Sequence, residues 1–210
     1  MRVLVLSLLM SVSVGCSDDS TDPSSSDASN GPLSVGDTSG AISLPPAKRG
    51  RVSAVFGDLF LCTKNGQPAT ITGVNFTTTV HPVAVRGAVR EIPAAEDRDD
   101  PNSDRWMPNI AKYGNPFDGK LRARLGGTII DDDEGAVISD RCSERRPDSA
   151  LAELLTWVAA GPHGAVVRSQ SIQYEAGGHQ YHLIVPWRFT ICGSQVDDPD
   201  CKRYAARRRR

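Results

Sequence analysis

The chain has 210 residues, a formal net charge of −1 and 39% hydrophobic residues. This length allows one domain with a single hydrophobic core in addition to a targeting segment. Because the charge is nearly balanced, no overall field attracts a polyanion, and we expect no nucleic-acid partner.

The first sixteen residues have the pattern of an export signal. Arg2 precedes the apolar run 3–14, which has the length of a signal-peptide core and is too short to cross a bilayer as a helix. The small residue Gly15 and then Cys16 end the run. We therefore expect residues 1–15 to be removed as a lipoprotein signal peptide.

This ending resembles the bacterial lipobox, in which a diacylglyceryl group is attached to the cysteine thiol before cleavage. Two acyl chains hold a protein on a bilayer firmly, at about 0.8 kcal/mol per buried methylene. The resemblance implies that Cys16 is lipidated with palmitate-type chains and anchors the protein to the extracytoplasmic face of the cell membrane. The alternative is an ordinary secretory signal without lipid.

A polar segment follows the cysteine. Residues 17–48 are mostly Ser, Asp, Gly and Pro and contain no aromatic residue, a composition that buries too little apolar surface to fold. We expect residues 16–50 to be a lipidated, disordered tether, although a prodomain or a modification site is an alternative. The single folded domain is then predicted to span 51–201, and 202–210 form a basic tail.

Four cysteines lie beyond Cys16, which is an even number in an exported chain and predicts two disulfides. A metal site is disfavoured because no C-x-x-C pair is present. Three connectivities are possible. We favour Cys62 with Cys192, which would join the first strand to the last, and Cys142 with Cys201.

Most of the segment 51–201 has the two-residue periodicity of β-strands. Between Tyr181 and Ile191 every odd position is apolar, and Gly177-Gly178 precede this run as a hairpin turn. Similar runs bring the number of predicted strands to about seven, at 54–62, 68–80, 82–92, 120–130, 135–139 and 166–176. The chain is therefore predicted to be mainly β, with a single antiparallel sandwich.

Residues 149–160 fit two interpretations. The apolar spacing from Leu151 to Val158, followed by Gly161, fits a helix. The β-branched and aromatic residues around Trp157, together with the mainly β surroundings, fit a strand, which we favour.

The run 62–76, a later isolated cysteine and the ending 174–192 resemble a group of uncharacterised actinobacterial secreted lipoproteins. In that group a cysteine-containing first strand leads into a second strand, and the chain closes with a glycine turn, an apolar strand with Pro and a terminal cysteine. The resemblance implies an immunoglobulin-like sandwich and no enzymatic activity.

The long connection between Ile92 and Gly119 is the predicted recognition element. Loops of this length are usually functional or disordered, and this one carries aromatic residues that a solvated loop does not need. We expect Trp106 and Tyr113 to contact a partner and Phe117 to pack as part of a turn.

Other polar clusters are expected to be solvated. The carboxylates of 131–135 lack the spacing of a calcium loop, and His179 and His182 point to opposite faces of a regular strand. His81 and His163 are expected to lie at the surface. No common catalytic motif occurs in the sequence.

The sequence thus predicts a lipid-anchored cell-envelope protein of unknown biochemical function, a non-catalytic binding or scaffolding module without cofactor or metal. Its partners are expected to be the membrane, through the lipid, and an envelope protein or wall polymer. The basic tail could also contact anionic lipid or wall polymer. The alternatives are an envelope hydrolase and a metal-handling lipoprotein.

Overall fold

The structure is a computed structural model that describes residues 31–35, 39–46, 50–100, 102–108, 110–131, 135–146 and 148–208. The predicted signal peptide, Cys16 and the first part of the predicted tether lie outside these residues. Within the described ranges, no helix has the length and apolar character needed to cross a membrane.

Twelve strands, two α-helices and three short 3-10 helices form in the described residues. The strands are β1 Leu33–Ser34, β2 Gly40–Leu44, β3 Val52–Thr63, β4 Ala69–Val80, β5 Ala84–Ile92, β6 Ala111–Tyr113, β7 Thr128–Asp131, β8 Val137–Ile138, β9 Leu151–Ala160, β10 Ala165–Ala176, β11 His179–Val185 and β12 Trp187–Ile191. The α-helices are α1 Gly119–Leu125 and α2 Pro199–Arg208. The 3-10 helices span Ala95–Asp97, Asp104–Trp106 and Cys142–Glu144.

The strands form two six-stranded sheets packed face to face. Sheet one has the order β1-β3-β9-β5-β7, and β6 pairs with β3. Sheet two has the order β2-β12-β10-β4-β8, and β11 pairs with β10. All of these pairs are antiparallel except β2 with β12. The predicted mainly β sandwich is confirmed, and it has more strands than expected because short edge strands lack a recognisable alternation.

The main core lies between the two sheets. Phe56 of β3 stacks on Phe189 of β12 with ring centroids 4.7 Å apart. Thr156 donates a hydrogen bond of 2.6 Å from its Oγ1 to the Oε1 of Gln170, which joins the sheets through buried polar groups. Each fully buried large apolar side chain here contributes roughly 1.5–3 kcal/mol of transfer free energy.

The sandwich starts earlier than the predicted boundary at residue 51. β1 pairs with the Cys62–Thr63 end of β3, and β2 runs parallel to β12. Leu33 is buried in the core. The composition of residues 31–46 predicts disorder, but strands that are already formed supply the hydrogen bonds and apolar surface that this segment lacks by itself. This finding corrects the predicted extent of the tether.

The predicted strand at 120–130 is wrong in its first half, which forms α1. The Asp118 side chain caps the helix by accepting a hydrogen bond of 3.2 Å from the backbone N–H of Lys120. Leu121 and Leu125 both pack on the outer face of sheet one. A spacing of four residues places two leucines on one face of a helix and also on one face of a strand, so the alternation did not separate the two structures.

The preferred interpretation of 149–160 as a strand is confirmed by β9. This strand lies between β3 and β5, so both of its edges are paired. Both of its faces are largely covered, which explains why its apolar residues run almost without interruption.

All four cysteines of the domain form disulfides, as predicted, but both favoured pairings are wrong. Cys62 bonds to Cys142, and Cys192 bonds to Cys201. Cys62 is the second-last residue of β3 in sheet one, whereas Cys192 directly follows β12 of sheet two. Each therefore pairs with a cysteine in a segment that runs beside its own sheet.

The predicted boundary before the basic tail is also corrected, because α2 extends from Pro199 to Arg208. The Asp198 carboxylate accepts a 2.9 Å hydrogen bond from the backbone N–H of Asp200 and so caps the helix. Tyr204 donates its hydroxyl to the Ser43 carbonyl over 3.2 Å, which attaches α2 to β2.

Candidate functional site

The chain between β5 and β7 covers the outer face of sheet one. α1 packs its leucines against a second apolar cluster that includes Val55, Ala88 and Leu155. Residues 102–108 lie over the buried side chain of Arg90. The connection that the sequence predicts as a recognition loop is therefore mostly a cover for the sheet.

An open cleft of about 620 Å³ remains between this cover and the chain that precedes β9. We call it the basic cleft because three arginines line it together with apolar residues. Its lining consists of Phe60, Arg98, Asn102, Ser103, Trp106, Met107, Pro108, Arg145, Arg146 and Leu151.

One side of the basic cleft, residues 102–108, is called the Trp106 wall. The indole Nε1 of Trp106 donates a 2.7 Å hydrogen bond to the Asp100 carbonyl. The guanidinium of Arg105 lies 4.5 Å from the indole centroid and that of Arg98 lies 5.9 Å from it. Arg98 Nε donates to the Pro93 carbonyl over 2.9 Å. These contacts fix the ring and place positive charge around it.

The Trp106 wall also contacts the end of α1. Gly126 has a φ of 63°, and a Cβ added there would lie 3.0 Å from both the Trp106 ring and the Arg105 carbonyl. Glycine is needed at this position for the backbone conformation and for the close approach. Met107 is 60% exposed and forms the open lip of the cleft.

A buried ion pair supports the Trp106 wall from below. Arg90 Nε lies 3.2 Å from Glu153 Oε2, and both side chains are fully buried. Arg90 Nη2 donates to the Met107 carbonyl over 2.9 Å. The other carboxylate oxygen, Glu153 Oε1, accepts a 2.8 Å hydrogen bond from the backbone N–H of Asp58. The pair thus joins β5, β9, β3 and the wall.

Burial and the Glu153 charge both change the pKa of Arg90. Burial lowers the pKa of Arg90, and the Glu153 carboxylate opposes that shift. A guanidinium keeps its proton even so, because its ordinary pKa is very high. Asp58 has a φ of 67° in the irregular part of β3. The Glu153 carboxylate, by accepting the Asp58 N–H, therefore also stabilises a strained backbone position.

The opposite side of the basic cleft, residues 141–146, is called the Arg145 wall. The disulfide from Cys62 at the end of β3 to Cys142 attaches this wall to sheet one. Two residues before Cys62, the ring of Phe60 lies 5.4 Å from the Arg145 guanidinium. The disulfide therefore keeps Arg145 over the floor of the cleft.

One hydrogen-bond donor of Arg145 has no partner among the residues that the structure describes. This donor is the Nη2 atom, which is buried. Burial lowers the pKa of Arg145, and the Asp140 carboxylate opposes the shift. An unsatisfied donor on a charged group is costly.

Trp106 lies in the cleft, as the prediction of a binding role requires, whereas Tyr113 does not. Tyr113 belongs to β6, pairs with Ala54 of β3 and is 52% exposed away from the cleft lining. Phe117 packs as predicted, edge-on to Trp157 with centroids 6.2 Å apart and 4.0 Å below the Arg86 guanidinium. Cys16 lies outside the described residues.

The sequence did not identify the three arginines of the cleft. Arg98 is 47 residues from Arg145 in the chain, and no local pattern indicates that they meet. The Arg145-Arg146 doublet three residues after Cys142 was the available signal, because a disulfide fixes the residues next to it. The buried Arg90–Glu153 pair had no local signal at all.

Two histidines contact hydroxyl groups in exposed turns. His163 Nδ1 lies 3.0 Å from Ser194 Oγ, and His81 Nδ1 lies 3.0 Å from Thr78 Oγ1. The contacts described for these two rings include no carboxylate of the kind that orients a catalytic triad. Throughout the ranges that the structure describes, no group of three or more His, Cys, Asp and Glu residues is placed to hold a metal ion.

Comparison with known proteins does not assign a family to this chain. No family model matches the sequence, and no curated protein matches it. Among solved structures, the CooA pilin subunit from enterotoxigenic Escherichia coli is similar with a TM-score of 0.32 and 9% identity, over 78% of this chain and 97% of that chain. A similarity of this size carries no argument about function.

Proposed function

We propose that this protein is a lipid-anchored, non-catalytic binding module of the cell envelope that holds a partner in the basic cleft. The proposed anchor rests on the apolar run 3–14 followed by Gly15 and Cys16. The proposed binding role rests on one observation above all. An open cleft presents Trp106 and Met107 beside three arginines.

The residue types of the cleft are those found at protein-binding surfaces. Trp, Met and Arg are enriched in interfaces, and Trp and Arg are frequent among the residues whose truncation costs most affinity. An indole that is only partly buried, with its polar edge already bonded, presents apolar surface to a partner without a desolvation cost for its N–H.

Rigid support also favours binding. The Arg145 wall is attached by a disulfide and the Trp106 wall by a buried ion pair, so neither wall has to be ordered when a partner arrives. A preorganised site loses less conformational entropy on binding than a mobile one.

The ionisable groups inside the cleft support binding and not proton transfer. Within the described part of the chain, its lining contains three guanidiniums and no carboxylate or imidazole. Guanidinium groups stay protonated at neutral pH, donate hydrogen bonds and accept none, so they recognise anionic groups.

The anchor is tested by Cys16→Ser in the cells that produce the protein. The variant should be released from the membrane or stay unprocessed, because no thiol is available for acylation. Partition into detergent with the wild-type processed mass would show that the anchor assignment is wrong.

The released Cys16→Ser protein also serves as a probe for the cleft. It should bind isolated cell envelopes saturably in a sedimentation assay, and an added Trp106→Ala change should weaken binding by about tenfold or more. Tyr113→Ala is the matched control, since it removes an exposed aromatic outside the cleft and should have no effect. Equal loss in both variants, or loss in neither, would contradict the cleft as the binding site.

A further inference from the structure

The arginines of the basic cleft lie beside segments that carry many carboxylates. Arg98, Arg145 and Arg146 line it, while exposed carboxylates lie next to them in the chain on both sides. The side chains of Asp99 and Glu144 are each 68% exposed, and they form surface ion pairs with Arg105 and Arg141. On the Trp106 side of the cleft, residues 96–105 carry five carboxylates and two arginines. We call this excess of negative charge on one side of the cleft the acidic rim.

This charge arrangement restricts the occupant. A polyanion or an anionic bilayer would bring many negative charges against the rim, and like charges at short range repel. A ligand with one or two negative charges avoids that repulsion and still reaches the guanidiniums. The planar fork of an arginine binds a carboxylate through two parallel hydrogen bonds, which matches a single acidic group.

The apolar part of the lining requires an apolar part in the ligand. Trp106, Met107 and Phe60 lie in the same cleft as the arginines. Because Met107 is 60% exposed, the cleft does not enclose its occupant as a small-molecule pocket does. An open site of this kind suits a chain that continues beyond it in both directions.

Building on the proposed function, we propose that the occupant is a segment of a partner protein in which an isolated Asp or Glu adjoins an aromatic or aliphatic residue. The carboxylate accepts hydrogen bonds from the guanidinium of Arg145, which lines the cleft. The neighbouring apolar side chain packs against Trp106. Acidic-motif recognition by clustered arginines is an established mode of peptide binding.

The acidic rim adds a preference that distinguishes this site from a general anion binder. A run of several acidic residues would place additional carboxylates beside the acidic rim, so such a run should bind more weakly than a single acidic residue in the same apolar context.

The experiment is selection from a displayed library of random heptapeptides on the full-length chain carrying Cys16→Ser. We expect enrichment of peptides with a single Asp or Glu next to Phe, Trp, Leu or Ile. These peptides should bind the Arg145→Gln variant at least about tenfold more weakly than the wild type. Peptides in which the acidic residue is replaced by its amide should bind the wild type more weakly by a similar factor. Arg168→Gln, an exposed arginine on sheet two, is the matched control and should bind like the wild type.

Other outcomes would overturn the assignment of the ligand. Enriched peptides without an acidic residue, lost on Trp106→Ala but not on Arg145→Gln, would show that the occupant is purely apolar. Tight Arg145-dependent binding to phosphatidylglycerol vesicles or polyphosphate without peptide enrichment would assign the cleft to a phosphate-bearing surface. Failure of enrichment while Trp106-dependent envelope binding persists would reject the peptide class alone. Loss of the envelope binding as well would reject the proposed function.

Discussion

The two walls of the basic cleft are attached to sheet one by different chemistry. The Arg145 wall is held by a covalent bond between Cys62 and Cys142. The Trp106 wall is held by the Arg90–Glu153 pair through one hydrogen bond to the Met107 carbonyl. A disulfide acts largely by restricting the unfolded chain, whereas a buried pair acts in the folded state and is costly when one partner is missing.

Sheet one thus holds two different segments by two kinds of attachment. A covalent link needs only two residues at the correct distance, and here the Cα atoms are 5.0 Å apart. A buried charge pair needs several matched partners, and it therefore ties β3, β5, β9 and the wall into one arrangement. Each attachment can be broken separately, and the loss should affect only the wall that it holds.

The largest expected effect is loss of the disulfide at the Arg145 wall. For a loop of 80 residues, Cys62→Ser with Cys142→Ser should lower the free energy of unfolding by about 4.5 kcal/mol in the chain-entropy description. Urea unfolding at neutral pH measures this change. Amide exchange should rise in residues 141–146 and stay unchanged in residues 102–108.

The second disulfide is the matched control for that prediction. Cys192→Ser with Cys201→Ser opens a loop of 9 residues, so the same description gives a loss of about 2.6 kcal/mol. The cleft should be unaffected because this bond attaches α2 beside sheet two. Equal losses from the two pairs would show that loop length does not govern their contribution.

The next largest effect concerns the ion pair under the Trp106 wall. Glu153→Gln leaves Arg90 buried without its counter-charge and should lower the free energy of unfolding by about 3–5 kcal/mol. Amide exchange should now rise in residues 102–108. Replacing both residues, Arg90→Met with Glu153→Leu, should recover much of the stability while leaving the Met107 carbonyl without its donor.

The double variant separates stability from positioning. If it is as stable as the wild type yet binds the partner more weakly, the pair positions the wall. If the double variant has a lower free energy of unfolding than Glu153→Gln, the unpaired buried charge of Arg90 is not the cause of the instability, contrary to this account.

Two aromatic residues of the same connection should differ in their contribution to stability. Phe117 packs between Trp157 and the Arg86 guanidinium, so Phe117→Ala should cost about 2 kcal/mol, below the usual value for a fully buried ring because Phe117 is only half-buried. Trp106→Ala should cost less than about 1 kcal/mol and act on binding. Thermal unfolding measures the change in stability, and the envelope assay measures the change in binding. A larger loss of stability for Trp106→Ala than for Phe117→Ala would show that Trp106 is a packing residue.

The smallest expected effect is a pH dependence of the Trp106 wall. The hydrogen bond from Arg105 lowers the pKa of Asp99 below its ordinary value of 3.8. The pair is therefore complete above that value and is lost as the pH falls through the lowered pKa of the folded state. Arg105 contacts the indole of Trp106, so the side-chain N–H resonance of Trp106 should shift in that acid range.

Asp99→Asn provides the control for this titration. The variant should keep the Trp106 resonance constant over the same range, with little change in stability because both groups of the pair are exposed at the surface. A shift of equal size in the variant would assign the titration to another carboxylate.

Part of the fold was readable because strand periodicity is local. The alternation from Tyr181 to Ile191 predicts one strand, and the structure confirms β structure there but divides it into β11 and β12 on either side of Pro186. The same kind of reasoning failed at Leu121 and Leu125, where a spacing of four residues fits helix and strand equally. There the Asp118 cap and the apolar patch on sheet one decided in favour of a helix.

The candidate site was less accessible to prediction than the fold. Trp106 was found because it lies outside any alternating pattern, yet Tyr113, selected for the same reason, belongs to an edge strand. A residue that lies outside the alternating pattern is one whose presence the packing of its own strand does not explain. The pattern does not show which other segments surround it.

The sequence alone determined the β periodicity, the even number of cysteines and the presence of unexplained aromatics in the long connection, because each depends on residue types and short spacings. Only the tertiary structure decided which cysteines join, that residues 33–34 and 40–44 enter the sheets, and that Arg98, Arg145 and Arg146 meet beside Trp106. These features depend on contacts between residues far apart in the chain. Such contacts form where the free energy gained by burial and hydrogen bonding exceeds the entropic cost of closing long loops. A local sequence pattern contains no information about that difference.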